Sequence, residues 1–494
     1  MGAKAEIWAS SSMTLLKRRD SGLQRKSSKG EEMKRFKEST ILVVGGGYVG
    51  LTAAGCFAEL GHNIHLVEKD PDRLSMLSKG EIPIYEPGLD EIYSRALTNG
   101  QIKLHQKIEE GLFGAEVVLL CVGTPPMPSG DPNLTIIAAA ASEVARSATK
   151  TTYVVVKSTV PPGTCEALEL ICHESAQDRV AVSVLSNPEF LREGRSVYDF
   201  MNPDRVVVGG EGEGLTKVAS LYPDDMELLF VDRRGAELVK YASNAFLAVK
   251  VSFANEVAAL CETLGTEAQS VLRGVGMDSR IGGDFLNPSI GWGGSCLPKD
   301  TSGMVAISRS LGLNSLVVEG AIEANDKTRS RIVERLSRVT GGLKGAKVAL
   351  LGLSFKAGTD DTRDSPAIYL AQLLKAAGAE VIGYDPMARL HPNQLDSISR
   401  RAATIEEATT AADVTVIGVG WSEFGEMDPI GLRERMAGSV IFDGVGILDL
   451  ASYAEAGFAA LGIGRGHQDR FKPIIWRPLS WTIDDSAIIR GDVA

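Results

Sequence analysis

The fold of this chain is decided by the stretch Ile41-Leu42-Val43-Val44-Gly45-Gly46-Gly47-Tyr48-Val49-Gly50. It combines a short buried strand, a G-x-G-x-x-G turn and the start of an apolar helix through Leu51–Leu60. This context makes the motif specific for dinucleotide binding. Gly45 makes the tight turn, Gly47 lets a pyrophosphate approach the backbone, and Gly50 permits close helix packing. The phosphates would bind the free N–H groups at the helix N-terminus.

A second strand, Ile64–Val67, ends at Glu68, roughly 20 residues after the glycine turn, where dinucleotide-binding folds carry an acidic residue. A carboxylate there accepts hydrogen bonds from the ribose hydroxyls of NAD and repels the 2′-phosphate of NADP. Arg73 is close by in sequence, and its positive charge leaves NADP open as an alternative. The sequence therefore predicts NAD as the cofactor.

Two further strands are predicted to bring polar side chains to the same edge of the sheet. Glu116–Val122 continues to Thr124, and Tyr153–Val156 continues to Ser158 and Thr159. Ligands of open parallel sheets bind beyond the carboxyl ends of the strands, so these three side chains should face the cofactor cleft. Ser and Thr are also ordinary turn residues, and that alternative stays open.

Another predicted strand, Ala181–Leu185, leads into Ser186–Gly194, which contains Glu189 and Glu193. Two carboxylates at this spacing could simply form a solvated face. Because the segment follows a strand into the same cleft, both are candidates for chemistry.

Composition limits the classes of protein to which this chain can belong. At 494 residues it exceeds what one core usually holds, so two or three domains are expected. The net charge of -11 argues against nucleic acid as the main partner. The six cysteines show no metal-ligand spacing, so no metal is predicted and reduced thiols in a cytoplasm are expected. No apolar run is expected to approach the roughly 18 residues that cross a bilayer, and no secretory signal is expected.

The stretch Gly291–Asp300 places a thiol, an ammonium and a carboxylate within a glycine-rich segment. Cys296 is a nucleophile only as a thiolate, and a nearby cation such as Lys299 would favour that form. Asp300 could act as the base that activates water once a group is bound to the sulfur. Gly293 would let a ligand approach the backbone closely. The alternative is a glycine-rich turn with a chance buried cysteine.

A second α/β unit is predicted from Lys347 onwards, without a G-x-G-x-x-G turn of its own. Its strands are expected at Val348–Leu351, Val381–Tyr384, Val414–Val419 and Val440–Phe442. Between the two units, residues 235–275 alternate apolar and polar side chains at helical spacing. The buried positions of this helical segment are predicted at Leu238, Ala245, Leu247, Val251 and Leu260.

The order of short motifs along residues 39–460 resembles the UDP-glucose/GDP-mannose dehydrogenase family. Each motif is weak alone, but the run of them is specific. The motifs are the glycine turn, Gly80-Glu81-Ile82-Pro83-Ile84-Tyr85-Glu86-Pro87-Gly88-Leu89, Gly123-Thr124-Pro125, Lys157-Ser158-Thr159, Asn187–Gly194 and Gly293–Asp300. One departure is Val445, where the family usually has an arginine after Asp443-Gly444, so one phosphate contact is expected to be missing.

The resemblance implies an α/β fold with an N-terminal Rossmann domain, a central helical segment and a C-terminal Rossmann-like α/β domain. The central segment is implied to form a homodimer interface, and the C-terminal domain to bind the nucleotide of the substrate. The expected boundaries are 1–38 for a disordered extension, 39–225, 226–340 and 341–464 for these three parts, and 465–494 for a tail.

The implied reaction is the NAD-dependent oxidation of a nucleotide sugar's primary alcohol to a carboxylate, with two NAD molecules consumed. Cys296 would attack the intermediate aldehyde to give a thiohemiacetal, and the later thioester would be hydrolysed by water. UDP-glucose is the implied substrate, because Arg280-Ile281-Gly282 and Phe285-Leu286-Asn287 match the loop that contacts its sugar. GDP-mannose and UDP-N-acetylhexosamines remain alternatives, as does a non-catalytic regulator that binds the same ligands. No membrane partner is expected.

Site residues are carried over position by position. Catalytic roles are implied for Cys296, Lys240, Asn244, Asp300, Glu189 and Thr159. The expected NAD site comprises Gly45, Gly47, Tyr48, Val49, Gly50, Glu68, Arg73, Thr124, Ser158, Glu193, Lys299 and Arg363. The expected sugar site comprises Glu189, Phe190, Leu191, Lys240, Asn244, Arg280, Phe285, Leu286, Asn287, Gly293 and Lys356, with Arg280 reaching into the partner subunit's site. Without the resemblance, Lys240 and Asn244 would be an ordinary surface pair on one helix face.

Overall fold

Two β-sheets organise the computed structural model, which describes residues 35–177 and 180–465. Most of the extension predicted for residues 1–38 and the tail after Arg465 therefore lie outside the described residues. The predicted α/β fold with two Rossmann-like units and a helical segment between them is confirmed.

The first sheet is built from short apolar strands that are buried on both faces. They are Thr40–Val44 (β1), Asn63–Val67 (β2), Ile102–His105 (β3), Val117–Leu120 (β4), Thr152–Val156 (β5), Val182–Ser186 (β6), Val206–Gly209 (β7) and Leu228–Val231 (β8). Their order is β3-β2-β1-β4-β5-β6-β7-β8, and only β6 and β7 pair antiparallel. The order reverses next to β1, which is where dinucleotides bind in doubly wound sheets.

The register of β1 with its neighbours positions the cofactor site. Val44 lies beside Val67 of β2 and beside Leu120 of β4. Gly45 and Glu68, which follow directly, therefore lie at the same edge of the sheet.

Helices cover both faces of this sheet, because alternate residues of each strand point to opposite faces. Ile41 and Val43 belong to one apolar cluster, whereas Leu42 and Val44 belong to the cluster on the other face. The helices are Tyr48–Glu59 (α1), Pro71–Ser78 (α2), Leu89–Thr98 (α3), Ile108–Gly111 (α4), Thr135–Ser147 (α5), Thr164–Ser175 (α6), Ser196–Met201 (α7) and Glu213–Ala219 (α8).

Four helices form the central segment, and the first of them is the longest in the described chain. They are Arg233–Leu264 (α9), Ala268–Gly276 (α10), Leu297–Ser310 (α11) and Leu316–Thr340 (α12). The Asp232 side chain caps α9 by accepting a hydrogen bond from the Gly235 N–H at 2.7 Å. Gly265 ends the helix in the left-handed conformation.

Two of the buried positions predicted on α9 are wrong. Leu238 and Leu260 are exposed, whereas Ala245 is buried. The buried face of α9 consists mainly of small and polar side chains such as Ala248 and Asn255, and several of its large apolar residues lie on the opposite face.

By length and composition, α9 is also the one helix among the described residues that could cross a membrane. The expectation that no segment reaches that length is therefore wrong for this helix, because apolar side chains on its outer face and small ones on its inner face raise its mean hydropathy. In this fold, 44% of its most apolar window is buried inside the protein.

The second sheet repeats the doubly wound order and is parallel throughout its described strand pairs. Its strands are Lys347–Leu351 (β9), Glu380–Tyr384 (β10), Arg400–Arg401 (β11), Val414–Ile417 (β12), Val440–Asp443 (β13) and Ala459–Gly462 (β14). Their order is β11-β10-β9-β12-β13-β14. The α-helices around it are Pro366–Ala376 (α13), Ile405–Thr409 (α14), Ser422–Gly425 (α15), Pro429–Arg435 (α16) and Leu450–Glu455 (α17), and Pro392–Ser397 forms a 3-10 turn.

Candidate active site

A cavity of about 1550 Å³ opens where the first sheet, the central helices and the second α/β unit meet. The glycine turn and the strand ends of the first sheet line one side, and residues of the second unit, including Arg363, line another. Of the residues predicted from sequence, the cavity brings together Gly45, Gly47, Tyr48, Val49, Glu68, Arg73, Thr124, Ser158, Thr159, Glu189, Leu191, Glu193, Cys296, Lys299 and Arg363.

The glycine turn has the geometry that a pyrophosphate requires. Gly45 has a φ of +108°, and a Cβ on Gly50 would lie 1.8 Å from the Gly45 carbonyl oxygen. A Cβ on Gly47 would meet nothing within 4 Å, so this side of the turn is open to the cavity. Gly50 itself is buried against the turn and does not line the cavity.

Glu68 is buried at the end of β2 and faces the glycine turn. It accepts hydrogen bonds from the Gly46 N–H at 3.2 Å and from the Asp70 N–H at 2.9 Å. Arg73 approaches the same carboxylate at 3.6 Å. The positive charge is therefore partly engaged by Glu68 and is less free to attract a second anion.

The hydroxyl groups at the ends of β4 and β5 are used mainly within the protein. Ser158 Oγ lies 2.6 Å from the Val122 carbonyl oxygen, and Thr124 donates to the Thr159 carbonyl at 2.9 Å. Thr124, Ser158 and Thr159 face the cavity as predicted, but these bonds hold the strand ends together.

A buried ion pair lies beside the cavity. Lys240 Nζ on α9 is 3.0 Å from Glu189 Oε1, and both side chains are almost fully buried. Burial alone would raise the pKa of Glu189, but Lys240 and the Leu191 N–H lower it below its usual value. Burial lowers the pKa of Lys240, but Glu189 together with Cys296 and Asp300 raises it above its usual value. Both groups are therefore charged at neutral pH.

Asp300 is fully buried, one turn into α11, and both of its oxygens have partners. Asn244 donates to Oδ2 at 2.6 Å, and Lys299 forms an ion pair with Oδ1. Lys240 and Asn244 thus face the same site from adjacent turns of α9, as their spacing predicts.

Cys296 is the residue immediately before α11, where the helix N-terminus favours a thiolate. It is exposed toward the cavity, whereas the other five cysteines are buried, and all six are free. The surrounding protein shields the thiol from bulk water, and this desolvation and the charge of Glu189 raise its pKa. Lys240 lowers the pKa of the same thiol. The prediction that Lys299 is the activating cation is therefore wrong, because Lys299 is paired with Asp300 and Lys240 acts on the sulfur.

Glu193 joins all three parts of the protein. Its Oε1 accepts a hydrogen bond from Ser295 Oγ at 2.9 Å, and Arg363 of the second α/β unit approaches it at 3.8 Å. Burial and the neighbouring Asp361 raise the pKa of Glu193 to about 7, against the opposing effects of Ser295 and Arg363.

Phe190 is held between two cations on the far side of the Glu189 segment. The Arg205 guanidinium lies 3.8 Å from the centre of its ring, and Lys240 Nζ lies 5.4 Å from it. This stacking fixes the segment that carries Glu189.

The segment Gly291–Asp300 is packed directly against the second α/β unit. A Cβ on Gly293 would lie 2.0 Å from the Asp364 carbonyl oxygen, so only glycine fits there. Lys356, in the same part of the second unit, is half-buried; burial lowers its pKa and nearby Glu193 opposes that shift. Gly293 and Lys356 are therefore adjacent to the cavity without lining it.

The predicted loop contacts to the sugar lie outside the cavity within one chain. The Arg280 side chain is 87% exposed and pairs with Asp278 at 2.6 Å. Phe285 has a φ of +63°, Leu286 is buried and Asn287 is exposed. None of these four residues lines the cavity that contains Cys296.

Val445 stands where an arginine was expected, and another cation lies near its loop. The backbone N–H groups of Val445 and Gly446 donate to Asp443. Arg465 approaches the same carboxylate at 3.9 Å and donates to the Leu448 carbonyl at 3.3 Å.

Sequence reasoning missed several residues of the site. Glu86 is buried and accepts hydrogen bonds from Tyr48, from the Gly194 N–H at 2.8 Å and from the Ser196 N–H at 2.7 Å, which ties the glycine turn to the Glu189 segment. The Tyr-Glu-Pro-Gly motif was the one available signal for it. Residues His391–Gln394 line the cavity with no signal in their own sequence. The described residues contain no group of three His, Cys, Asp or Glu side chains that could bind a metal.

Comparison with known proteins accounts for this arrangement. Family models of the UDP-glucose/GDP-mannose dehydrogenases match at residues 39–224 for the NAD-binding domain, 234–327 for the central domain and 349–450 for the UDP-binding domain.

The chain belongs to the UDP-glucose/GDP-mannose dehydrogenase family.

Relatives and solved structures agree with this assignment. The chain is 41% identical to the UDP-glucose 6-dehydrogenase of Rhizobium meliloti, over 86% of this chain and 99% of the relative. It is 37% identical to the UDP-glucose 6-dehydrogenase YwqF of Bacillus subtilis, over 86% and 97% of the two chains. A UDP-glucose dehydrogenase structure from Pyrobaculum islandicum superposes with a TM-score of 0.80 at 36% identity, covering 87% and 98%.

Family membership confirms several predictions for this dehydrogenase. It is an NAD-dependent oxidoreductase of nucleotide sugars, as predicted. The first α/β unit is the NAD-binding domain and the second is the UDP-binding domain of the family.

Proposed function

We propose that this dehydrogenase oxidises C6 of UDP-glucose twice to give UDP-glucuronate, as a UDP-glucose 6-dehydrogenase, with Cys296 as the covalent nucleophile. The observation that carries the proposal is the exposed thiol of Cys296 in the cofactor cavity, beside the buried Lys240–Glu189 pair. NADH formation with a panel of nucleotide sugars tests it. UDP-glucose should give two NADH per acid formed, and turnover of GDP-mannose or a UDP-N-acetylhexosamine in its place would overturn the choice of sugar.

Residues around the cavity fit NAD. The open side of Gly47 and the free end of α1 would hold the pyrophosphate, and Glu68 would accept the ribose hydroxyls. Bound there, NAD supplies the hydride acceptor for both oxidations. We propose that the remaining predicted residues of this site also contact NAD. They are Gly45, Tyr48, Val49, Gly50, Arg73, Thr124, Ser158, Glu193, Lys299 and Arg363.

The covalent steps follow from the charges at the site. Cys296 adds to the C6 aldehyde as its S–H bond breaks, and the carbonyl oxygen becomes an alkoxide. Lys240 and Asn244, fixed on adjacent turns of α9, would donate to that alkoxide. Their partners Glu189 and Asp300 hold them in place before the charge develops, so the donors need no reorganisation.

Hydrolysis of the thioester needs a water and a base. Asp300 and Glu189 are the carboxylates next to Cys296, and Thr159 lines the same cavity. We assign the orientation of the water to Thr159 and the transfer of its protons to Glu189 and Asp300. Each carboxylate is paired with a lysine, Glu189 with Lys240 and Asp300 with Lys299.

NAD should be preferred over NADP by at least about fivefold in kcat/KM, because like charges near a protein surface repel by roughly 1–4 kcal/mol. Glu68→Gln removes the negative charge beside Arg73 and should narrow this preference. Steady-state kinetics with both cofactors measures the ratio. The exposed Glu91→Gln variant on α3 is a matched control and should keep it. Equal kcat/KM values for the two cofactors in the unmodified enzyme would refute the role of Glu68.

The sugar site is proposed to be completed by a second subunit. Arg280 is the contact expected from the partner. The other predicted contacts to the sugar are Phe190, Leu191, Phe285, Leu286, Asn287, Gly293 and Lys356. An exposed apolar stripe on α9, formed by Phe246, Phe253 and Leu260 at seven-residue spacing, supports a homodimer through this helix. In this proposal NAD binds to residues 39–225, the dimer forms through residues 226–340, and the nucleotide of the substrate binds to residues 341–464. The free thiols support a cytoplasmic location.

A further inference from the structure

The thiol of Cys296 must lose a proton when it attacks, and its surroundings offer one route. Among the described residues, the hydrogen-bonding contact of Cys296 Sγ is Ser295 Oγ, at 3.6 Å. Ser295 Oγ also lies 2.9 Å from Glu193 Oε1. When Glu193 is ionised it has no proton to donate, so Ser295 is the donor of this hydrogen bond. The three groups thus form a chain from the sulfur to a carboxylate.

The other two carboxylates near the sulfur are already engaged. Glu189 is paired with Lys240 at 3.0 Å and accepts the Leu191 N–H at 2.6 Å. Asp300 is held by Asn244 at 2.6 Å and by Lys299. Each is in close contact with a lysine, whereas the cation that approaches Glu193, Arg363, lies 3.8 Å away and pairs more closely with Asp361.

We propose that Ser295 and Glu193 form a proton relay that takes the thiol proton of Cys296 as the sulfur attacks the substrate. The inference rests on the proposed covalent role of Cys296. In the step, the S–H bond breaks and its proton moves to Ser295 Oγ. The hydroxyl proton of Ser295 moves to Glu193, and the electron pair left on sulfur forms the bond to carbon. Reversal of the same path reprotonates the thiol when the thioester is cleaved.

The direction of the relay follows from the hydroxyl group itself. Ser295 has one proton, and when that proton is given to Glu193 the oxygen can only accept from the S–H group. After transfer, the pattern reverses and the same hydroxyl donates to the thiolate. Ser295 touches the reacting atom, whereas Glu193 acts through Ser295.

The charges around both ends suit transfer near neutral pH. Glu193 faces Asp361, Arg363 and Lys356 of the second unit and Tyr48 of the glycine turn. Burial and Asp361 raise its pKa to about 7, near the value that favours a general base at physiological pH. At the other end, Cys296 faces Glu189, Lys240, Asp300 and Arg363.

Alkylation of Cys296 by iodoacetamide as a function of pH tests the relay without NAD or sugar. The reagent reports the thiolate, and the other five cysteines are buried, so mass spectrometry can confirm modification at this one site. The unmodified enzyme should show a rise in alkylation rate with a midpoint near pH 7, because Glu193 can accept the thiol proton only after it has ionised. Ser295→Ala and Glu193→Gln should each lower the rate at pH 7.5 about tenfold, the usual scale of one hydrogen bond to a charged group.

Three comparisons separate a relay from a structural role. The double variant should be no slower than either single variant, since both break one path. Ser295→Thr keeps a hydroxyl and should retain the rise in alkylation rate near pH 7. Ser310→Ala, at an exposed position on α11, should leave that rise unchanged. Retention of that rise in Ser295→Ala, or multiplied losses in the double variant, would overturn the relay.

The test is independent of the proposed function. Acid formation by a Cys296→Ala variant would refute the covalent mechanism but would not affect the alkylation profile. Conversely, a normal alkylation profile in Ser295→Ala would refute the relay while leaving the nucleophile in place. In turnover assays, Ser295→Ala should reduce kcat by on the order of 100-fold, the lower range for loss of general acid–base assistance.

Discussion

Replacing Cys296 with alanine should abolish formation of the acid while binding of NAD and of the nucleotide sugar persists. The thiol serves the chemistry and makes no contact that the cofactor needs, and loss of a nucleophile typically costs many orders of magnitude in rate. Acid formation is followed by product chromatography and NADH release, and binding by calorimetry. The buried Cys261→Ala variant is a matched control for loss of a thiol and should retain activity.

Serine in place of Cys296 separates nucleophilicity from size. An alkoxide is a poorer leaving group than a thiolate, so Cys296→Ser should stall at an ester-like adduct or turn over slowly. Intact-protein mass spectrometry would detect the adduct. Undiminished acid formation by the alanine variant would eliminate the covalent mechanism altogether.

Mixed dimers of Arg280→Ala and Cys296→Ala subunits should recover activity that both homodimers lack. One homodimer lacks the proposed sugar contact, and the other lacks the nucleophile. In the mixed dimer, one site combines an intact Cys296 with the partner's intact Arg280, and the other site carries both defects. About half of the unmodified activity should return, if the sites act independently.

The structure makes this experiment sensitive to the subunit that supplies the arginine. Arg280 is 87% exposed and absent from its own chain's cavity lining, so the substitution should not disturb folding. Co-expression with two affinity tags gives the mixed species, and its mass verifies composition. Arg146→Ala, at an exposed position on α5, serves as the control substitution and should be active as a homodimer. Verified mixed dimers without recovery would place Arg280 in its own chain's site or remove it from catalysis.

Several elements of the fold were predictable because their causes are local. The glycine turn requires φ values and close contacts that side chains forbid, as the 1.8 Å approach at Gly50 shows. Short apolar runs such as Ile41–Val44 predict buried parallel strands because helices cover both faces. The large apolar residues of α9 could not be assigned in the same way. Helical periodicity defines a face, but it does not say whether the core or another surface covers Leu238 and Leu260.

The sequence by itself determined the dinucleotide-binding turn, the order of the α/β units and the position of the segment that carries the proposed nucleophile, because each depends on residues adjacent in the chain. Only the tertiary structure decided which charges act on that nucleophile. Lys299 is three residues from Cys296 yet is neutralised by Asp300, whereas Lys240 comes from another helix and lowers the pKa of the thiol. The contact between Ser295 and Glu193 likewise joins residues that are distant in sequence. Coulomb energies and hydrogen bonds depend on separations in space, and packing of the three parts of the chain sets those separations.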